Sequence, residues 1–411
     1  METQPDNLPA EERETLPAEP EKKAAPKKKS RGSRIAFDIS LTCAFVALIV
    51  IVITIAGMMS GSMRQGDLGY ICEQCANFRA LCAWILMVTV IPPLFSLPWR
   101  PLAAVSMIFA LINFASVAPV FMSKDKSADK DAMVFSFKLL QIENGDQAFP
   151  LEDVISLVSG ENPEIFTISG IKSAEMVTFN EQPKLAYYQY RKVDPRADGY
   201  GLGIYAKVPV LNSFTRPVGP DKIPVLFSTV KFDFGWVRIV VFRSPEVAAA
   251  ADMDRRNNFL AALGEEIAKL EGPVLVSANL NATPYTGTYE GFLKAARLED
   301  TRAGFGMQPN CYLGPGDLYF NRVPFDYTLV NNLVGVDSRW IATGYGHQRL
   351  PIVGKFYLRE HKVEYKDLPV PAAESGASKA PASQSKAPAA ESKADKKPES
   401  KPGKRGRRKK H

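Results

Sequence analysis

Ser40 to Met59, SLTCAFVALIVIVITIAGMM, runs for about twenty residues without a charge, and nothing else in the chain restricts its fold as much. A helix of that length rises about 30 Å, the thickness of a bilayer's hydrocarbon core. Ala80 to Leu97 is a second apolar run with Pro92 and Pro93 near its end, and Pro101 to Met122 is a third. The connection SLPWRP carries Trp99 and Arg100, residue types suited to a bilayer interface. The first run is too long, and starts too far from Met1, for a cleaved secretory signal. Residues 36–122 are therefore expected to form a three-span transmembrane anchor, with the lipid bilayer as a partner.

Charge near the span ends sets the expected orientation. Seven Lys/Arg lie between Lys22 and Arg34, whereas Arg64 and Arg79 alone lie in the first connection and Arg100 in the second. This places the amino terminus in the cytoplasm and, after three crossings, Ser123 onward outside, although Lys124, Lys126 and Lys130 work against it. The expected protein is thus a multi-pass protein of the cell membrane with an extracytoplasmic soluble domain. Cys72-x-x-Cys75 would then face an oxidising compartment, where a short-range disulfide can form. No second Cys/His pair accompanies it to complete a zinc site.

The net charge of +7 is unevenly spread. Residues 371–411 hold twelve Lys/Arg and four Asp/Glu, a net +8, so the chain before them sums to about −1. The folded part therefore carries no mark of a polyanion-binding surface. The 371–411 tail is Ala/Pro/Ser/Lys low complexity with little to bury, and is expected to be disordered. Its KRGRRKK cluster is suited to an anionic surface or nucleic acid. Residues 1–35 form a second charged tail without apolar periodicity.

Between these segments, residues 131–362 alternate strand and helix patterns. MVFSFKLLQI reads as a strand; Leu151, Val154, Ile155 and Val158 fall at helical spacing; PEIFTISGI completes a β-α-β unit. Met176 to Val241 reads as strand-rich, including LAYYQYRKV, GLGIYAKVPVL, IPVLFSTVKF and GWVRIVVF. Asp252 to Leu270 reads as a helix burying Phe259, Leu260, Leu263 and Ile267, and FDYTLVNN and LPIVGKFYL supply late strands. The expected class is α/β (α+β): a four-layer α/β/β/α sandwich preceded by three transmembrane helices.

Five segments in order resemble the endonuclease/exonuclease/phosphatase superfamily, the sandwich of pancreatic deoxyribonuclease and the neutral sphingomyelinases. PEIFTISGI is similar to the family's PDIVLLQEV, GYGLGIYAKVPV to its strand ending in Ser-[Arg/Lys]-x-Pro, and PVLVSANLNATPYTGTYEGF to PVILAGDFNATPWS. VPFDYTLVNN resembles IDHILVS, and HQRLPIVGKFYL resembles SDHLPVVAEL. Bacterial members with three amino-terminal spans are a known layout. The resemblance implies phosphoester hydrolysis with Mg²⁺ or Mn²⁺ on carboxylates, an Asp-activated water, and His side chains neutralising the transition state.

The chain departs from that pattern at the chemistry. Asn279 stands where the resemblance places the basic Asp, while Asn281 is kept. Gly170 stands in place of the metal-binding Glu, and Phe242 in place of the His of H-x-x-P. The Ser-Asp-His triplet falls on His347, Gln348 and Arg349, or a two-residue shift puts His347 on the His and Gly346 on the Asp. The first-strand Asn falls on Glu143 or, one place on, Asn144. Asp326 survives. An amide cannot take a proton from water at neutral pH, and general-base catalysis is worth ~10²–10⁴-fold.

The candidate catalytic positions are Asn279, Asn281, Asp326 and His347, and the candidate metal ligands are Glu143 and Asp326. Three functions compete. The first is a catalytically impaired, membrane-anchored pseudoenzyme acting as a binding or scaffold module, for an unknown protein or a phosphate-bearing ligand and with no cofactor. The second is a divalent-metal-dependent phosphodiesterase or phosphatase with a rebuilt site, in which Glu143 and Asp146 join those positions around Mg or Mn. The third is an envelope component whose working part is the basic tail.

Overall fold

The structure is a computed structural model that describes residues 31–122, 135–144, 151–312, 322–342, 349–359 and 365–369. Residues 1–30 and 370–411, Asp146 and His347 lie outside the described residues, whereas residues 31–35 belong to the first helix.

The amino-terminal part is helical: α1 Arg31–Met59, α2 Gly66–Asn77, α3 Arg79–Leu94 and α4 Arg100–Val117. Two helical stretches are long and apolar enough to cross a membrane, Gly32–Met59 and Leu97–Phe121. Helices α2 and α3 form a pair bent by 60°, which makes a third span if the pair is counted as one. The three apolar runs of the sequence correspond to α1, α3 and α4. The connection between the first two is itself a helix, α2, whose face carrying Gly69, Cys72, Glu73, Ala76 and Asn77 is buried. Cys72 and Cys75 are both free thiols. Asn113 ties the bundle together: its amide donates to Thr54 Oγ1 at 3.0 Å and its oxygen accepts from Arg79 Nε at 3.2 Å.

The following part is mixed α/β. Its elements are β1 Ser136–Glu143, α5 Leu151–Glu161, β2 Ile165–Ser169, α6 Ser173–Glu181, β3 Tyr190–Asp194, β4 Leu202–Ala206, β5 Val210–Val218, β6 Ile223–Phe232 and β7 Gly235–Arg243. They continue as α7 Ala250–Ala268, β8 Val274–Asn279, α8 Gly287–Ala296, β9 Glu299–Asp300, β10 Cys311–Tyr312, β11 Arg322–Val323, β12 Asp326–Val330, β13 Val334–Ile341 and β14 Ile352–Leu358. One six-stranded sheet has the order β13-β14-β1-β2-β4-β3 and the other β5-β6-β7-β8-β12-β9, with β10-β11 a separate ribbon.

The sheets pack face to face through Phe137, Leu139, Ile165, Ile204, Leu226, Ile239, Leu275 and Phe356. Helix α5 covers one outer face through Val154, Leu157 and Val158, and α7 and α8 cover the other through Phe259, Leu263 and Phe292. Each such side chain contributes about 1.5–3 kcal/mol on burial. This is the four-layer sandwich expected. Two local expectations differ. Ser173–Glu181 is helical, because Glu175 reaches back to the Lys172 N–H at 2.8 Å and closes the first turn. The LAYYQYRKV strand begins only at Tyr190, because Tyr188 turns inward to stack edge-on against Phe166.

The helical part and the sandwich are joined by buried contacts. Glu73 of α2 forms a bidentate pair with Arg256 of α7, both N···O distances being 2.6 Å, and Thr283 donates to Asn77 Oδ1 at 2.9 Å. Gly304 and Gly306 both donate to the Val120 carbonyl at 2.9 Å. At Gly287 the backbones approach so closely that a Cβ would lie 2.4 Å from Gly61 Cα.

Candidate functional site

Strand register brings the candidate residues together. Asn279 ends β8 opposite Arg243 on β7 and opposite Asp326 on β12. In the facing sheet Glu143 ends β1 opposite Ser169 on β2. Just below, the apolar interface gives way to polar links between the sheets. Gln141 Nε2 donates to the Ala278 carbonyl at 3.0 Å, Thr328 Oγ1 donates to Gln141 Oε1 at 3.0 Å, and the Thr167 and Ser277 hydroxyls bond at 2.6 Å. These fix one sheet end against the other.

Asp326, 2% exposed, is surrounded by donors. Its Oδ1 accepts from Asn279 Nδ2 at 2.6 Å and Arg349 Nη1 at 3.0 Å, and its Oδ2 accepts from Asn310 Nδ2 at 2.5 Å. Arg349 Nη2 reaches Asn281 Oδ1 at 3.3 Å. Asn281 holds a left-handed backbone, φ 47°, a conformation Asn tolerates better than most residues. Its Nδ2 donates to the Ser244 and Pro245 carbonyls at 3.1 and 3.2 Å. Burial pulls the Arg349 guanidinium down, but the charge of Asp326 more than offsets this and holds it above its ordinary value.

Glu143, 5% exposed, accepts from Ser169 Oγ and faces Arg243 Nε at 3.2 Å. Burial pushes its carboxyl up despite the opposing charges of Arg243 and Arg349. Arg243 spends its remaining groups on the Gly199 carbonyl at 3.1 Å and on Glu246. Gly170, where the resemblance expects a Glu ligand, sits in a left-handed turn (φ 82°) with its N–H on the Gly201 carbonyl at 2.7 Å. A side chain at Gly201 would place its Cβ 1.8 Å from the Ile171 carbonyl oxygen, so this strand end is closed by backbone.

Glu143, Asn279, Asn281 and Asp326 thus gather at one end of the sandwich. His347 and Asp146 lie outside the described residues. Arg243, Asn310, Ser169 and Glu246 were not singled out from sequence, and Arg349 entered only as a residue standing in for a His. For Arg243 and Arg349 the signal was an arginine within each of two motif segments, FRSP and HQRLP.

The donor set does not fit the divalent ion that the resemblance implies. Mg²⁺ needs near-octahedral oxygen ligands at about 2.0–2.1 Å. Here the Asp326 oxygens are taken by two amides and a guanidinium, the Glu143 carboxylate lies between a hydroxyl and a guanidinium, and Arg243 and Arg349 would repel a cation. Among the described residues no three His, Cys, Asp or Glu side chains converge. Asn279 Oδ1 and Ser244 Oγ are buried and make no hydrogen bond among the described residues.

Residues 144–346 match the sequence model of the Endonuclease/Exonuclease/phosphatase family. Similar solved structures include an endonuclease/exonuclease/phosphatase from Beutenbergia cavernae DSM 12333, 13% identical over 55% of this chain and 72% of that chain, TM-score 0.45. D. rerio TDP2 complexed with single strand DNA product is 14% identical over 54% and 98% of the two chains, TM-score 0.45. Sphingomyelinase C from Streptomyces griseocarneus is 14% identical over 54% and 99%, TM-score 0.39. No curated protein matches the sequence. The chain carries a domain of the endonuclease/exonuclease/phosphatase family, fused to apolar amino-terminal helices.

Proposed function

We propose that this is a membrane-anchored protein whose endonuclease/exonuclease/phosphatase domain no longer hydrolyses phosphoesters and works as a binding or scaffold module. The observation that carries this reading is the pairing of both buried acids with guanidiniums, Glu143 with Arg243 and Asp326 with Arg349. Arginine cannot be deprotonated in a protein, so the two positive charges are permanent and stand where the family's chemistry needs a metal ion. Asn279 removes the base as well. In this reading α1, α3 and α4 span the bilayer, the amino terminus is cytoplasmic and the domain is extracytoplasmic. The partner is a protein or a phosphate-bearing ligand, and the basic tail adds contact with an anionic surface.

A rebuilt metal-dependent phosphodiesterase or phosphatase is the second reading. Asn279 Oδ1 and Ser244 Oγ, which make no hydrogen bond among the described residues, favour it, since each can serve a polar ligand. Calorimetric titration of Mg²⁺ and Mn²⁺ into the full chain in detergent, with an assay on bis(p-nitrophenyl) phosphate, separates the two. The expected result is no binding in the millimolar range and no turnover. Turnover that vanishes in Asp326→Ala and Glu143→Gln would overturn the proposal in favour of the second reading.

A further inference from the structure

A cavity of about 300 Å³ lies in the groove between α7 and α8, closed on one side by Arg64 and Gln65 from the stretch that follows α1. Leu260 and Phe292 give it an apolar floor, and no residue of the Glu143–Asp326 cluster lines it. Cavities of about 150 Å³ accept benzene, so this one has room for roughly eight to twelve heavy atoms.

Its walls are fastened by bonds of their own. Asn257 Nδ2 donates to the Arg64 carbonyl at 3.0 Å, while Asn257 Oδ1 accepts from Arg256 Nη2 at 2.7 Å and from Thr288 Oγ1 at 3.0 Å. One side chain thus ties the Arg64 backbone, α7 and α8 together. Arg64 Nε donates to the Gly61 carbonyl at 2.7 Å, and its Nη1 lies 3.4 Å from where a Cβ on Gly291 would stand. The guanidinium therefore lies over α8 with its Nη end left for another partner.

Asp254 lines the same cavity, three residues before Asn257 on α7, and residues at that spacing share a helix face. Its Oδ1 is shut off from water and makes no hydrogen bond among the described residues, so the carboxylate is short of donors. Arg64 and Asp254 bring opposite charges to one cavity, about one helical turn apart, and among the described residues neither makes an ion pair. Glu265, the other charged lining residue, is exposed and lies about 16 Å further along α7 by the helical rise. Gln65 is the residue before α2, and its side chain does not cap that helix, which leaves a partial positive charge at this end. Asp67, in the first turn of α2, does not line the cavity.

A simple ion satisfies one of the two charges and is repelled by the other. A small molecule with an ammonium and an anion a few bonds apart satisfies both, the ammonium at Asp254 and the anion across the two Nη groups of Arg64. Guanidinium takes phosphate in that bidentate geometry, and the phosphate oxygens left over can accept from the Gln65 amide. We infer that this cavity binds a zwitterion of the aminoethyl phosphate type. Its source is the free molecule or the headgroup of an ethanolamine phospholipid, since Arg64 lies five residues past Met59, the end of α1. The headgroup source rests on the reading of α1 as a membrane span; the site itself is independent of that reading and of whether the domain is catalytic.

The test is calorimetric titration of O-phosphoethanolamine into the full chain in detergent. Saturable binding is expected, with its two halves, ethanolamine and ethyl phosphate, each about tenfold weaker or worse, the worth of one hydrogen-bonded charge. Asp254→Asn and Arg64→Gln are expected to weaken binding by a similar factor at an unchanged melting temperature, since neither charge is paired within the fold. Ala261→Trp, which fills the groove, is expected to abolish binding. Absence of saturable binding overturns the site and leaves a cavity that holds water alone. Equal binding of either half, or unchanged affinity in Asp254→Asn, overturns the zwitterion assignment. In nanodiscs, weaker binding of O-phosphoethanolamine among phosphatidylethanolamine than among phosphatidylcholine assigns the site to the headgroup; equal affinity assigns it to the free molecule.

Discussion

A carboxylate taken out of water needs a partner for both its charge and its lone pairs. Among the described residues Asp326 has three side-chain donors, of which only Arg349 is charged. Arg349→Ala is therefore expected to cost about 3–5 kcal/mol, most of it the penalty of leaving Asp326 charged and uncompensated. Adding Asp326→Asn to that variant should recover most of the loss, and denaturation midpoints of the two variants and their combination measure it. Asp300 gives a second prediction. Burial would raise its carboxyl, but Arg302 and the hydrogen bond from Tyr289 bring it to about 2 from an ordinary 3.8. Because the folded value is depressed, its contribution is complete above pH 4 and is lost as pH falls from about 4 to 2. The shift corresponds to about 2 kcal/mol at neutral pH. In Asp300→Asn the acid-induced drop in stability over that window should shrink by the same amount.

Helix α2 shows how an element acquires its role from what it touches. Its sequence, GDLGYICEQCAN, has modest apolar character and reads as a loop between two spans. In the folded chain it delivers Glu73 to a fully buried Arg256 that also donates to the Asn281 carbonyl at 2.7 Å. The amino-terminal helices thereby brace the loop that carries a candidate site residue. Glu73→Gln is expected to release α2, because Arg256 cannot remain buried without its counter-charge. Hydrogen exchange over residues 60–78 should accelerate while the strands stay protected. Gly287→Val should do the same through the collision with Gly61, and unchanged exchange in both variants would show that α2 is held by other contacts.

The described residues up to Leu368 make one compact unit. Deleting residues 371–411 is expected to leave the unfolding midpoint of the full chain unchanged, since the apolar clusters are built from residues before them. The same deletion should abolish the salt-sensitive part of adsorption to anionic vesicles, which follows from a net +8 tail. Persistent salt-sensitive adsorption would move that contact onto the folded unit.

Periodicity and length alone determined the three apolar runs, the helix expected over Asp252 to Leu270 and found at Ala250–Ala268, and most strands of the sandwich, though not β13. Those patterns record which face of an element meets apolar neighbours, and that is local information. That Asn279 and Gly170 stand where the resemblance expects an Asp and a Glu was equally visible, because it is a matter of residue identity. Only the tertiary structure decided which side chains surround those positions. Arg243 and Arg349 lie far from Glu143 and Asp326 in the chain and meet them because two sheets end at the same level. The pairing of Glu73 with Arg256 was hidden for the same reason. Long-range charge pairing leaves no period in a sequence; it exists only once burial has removed the water that would otherwise separate the partners.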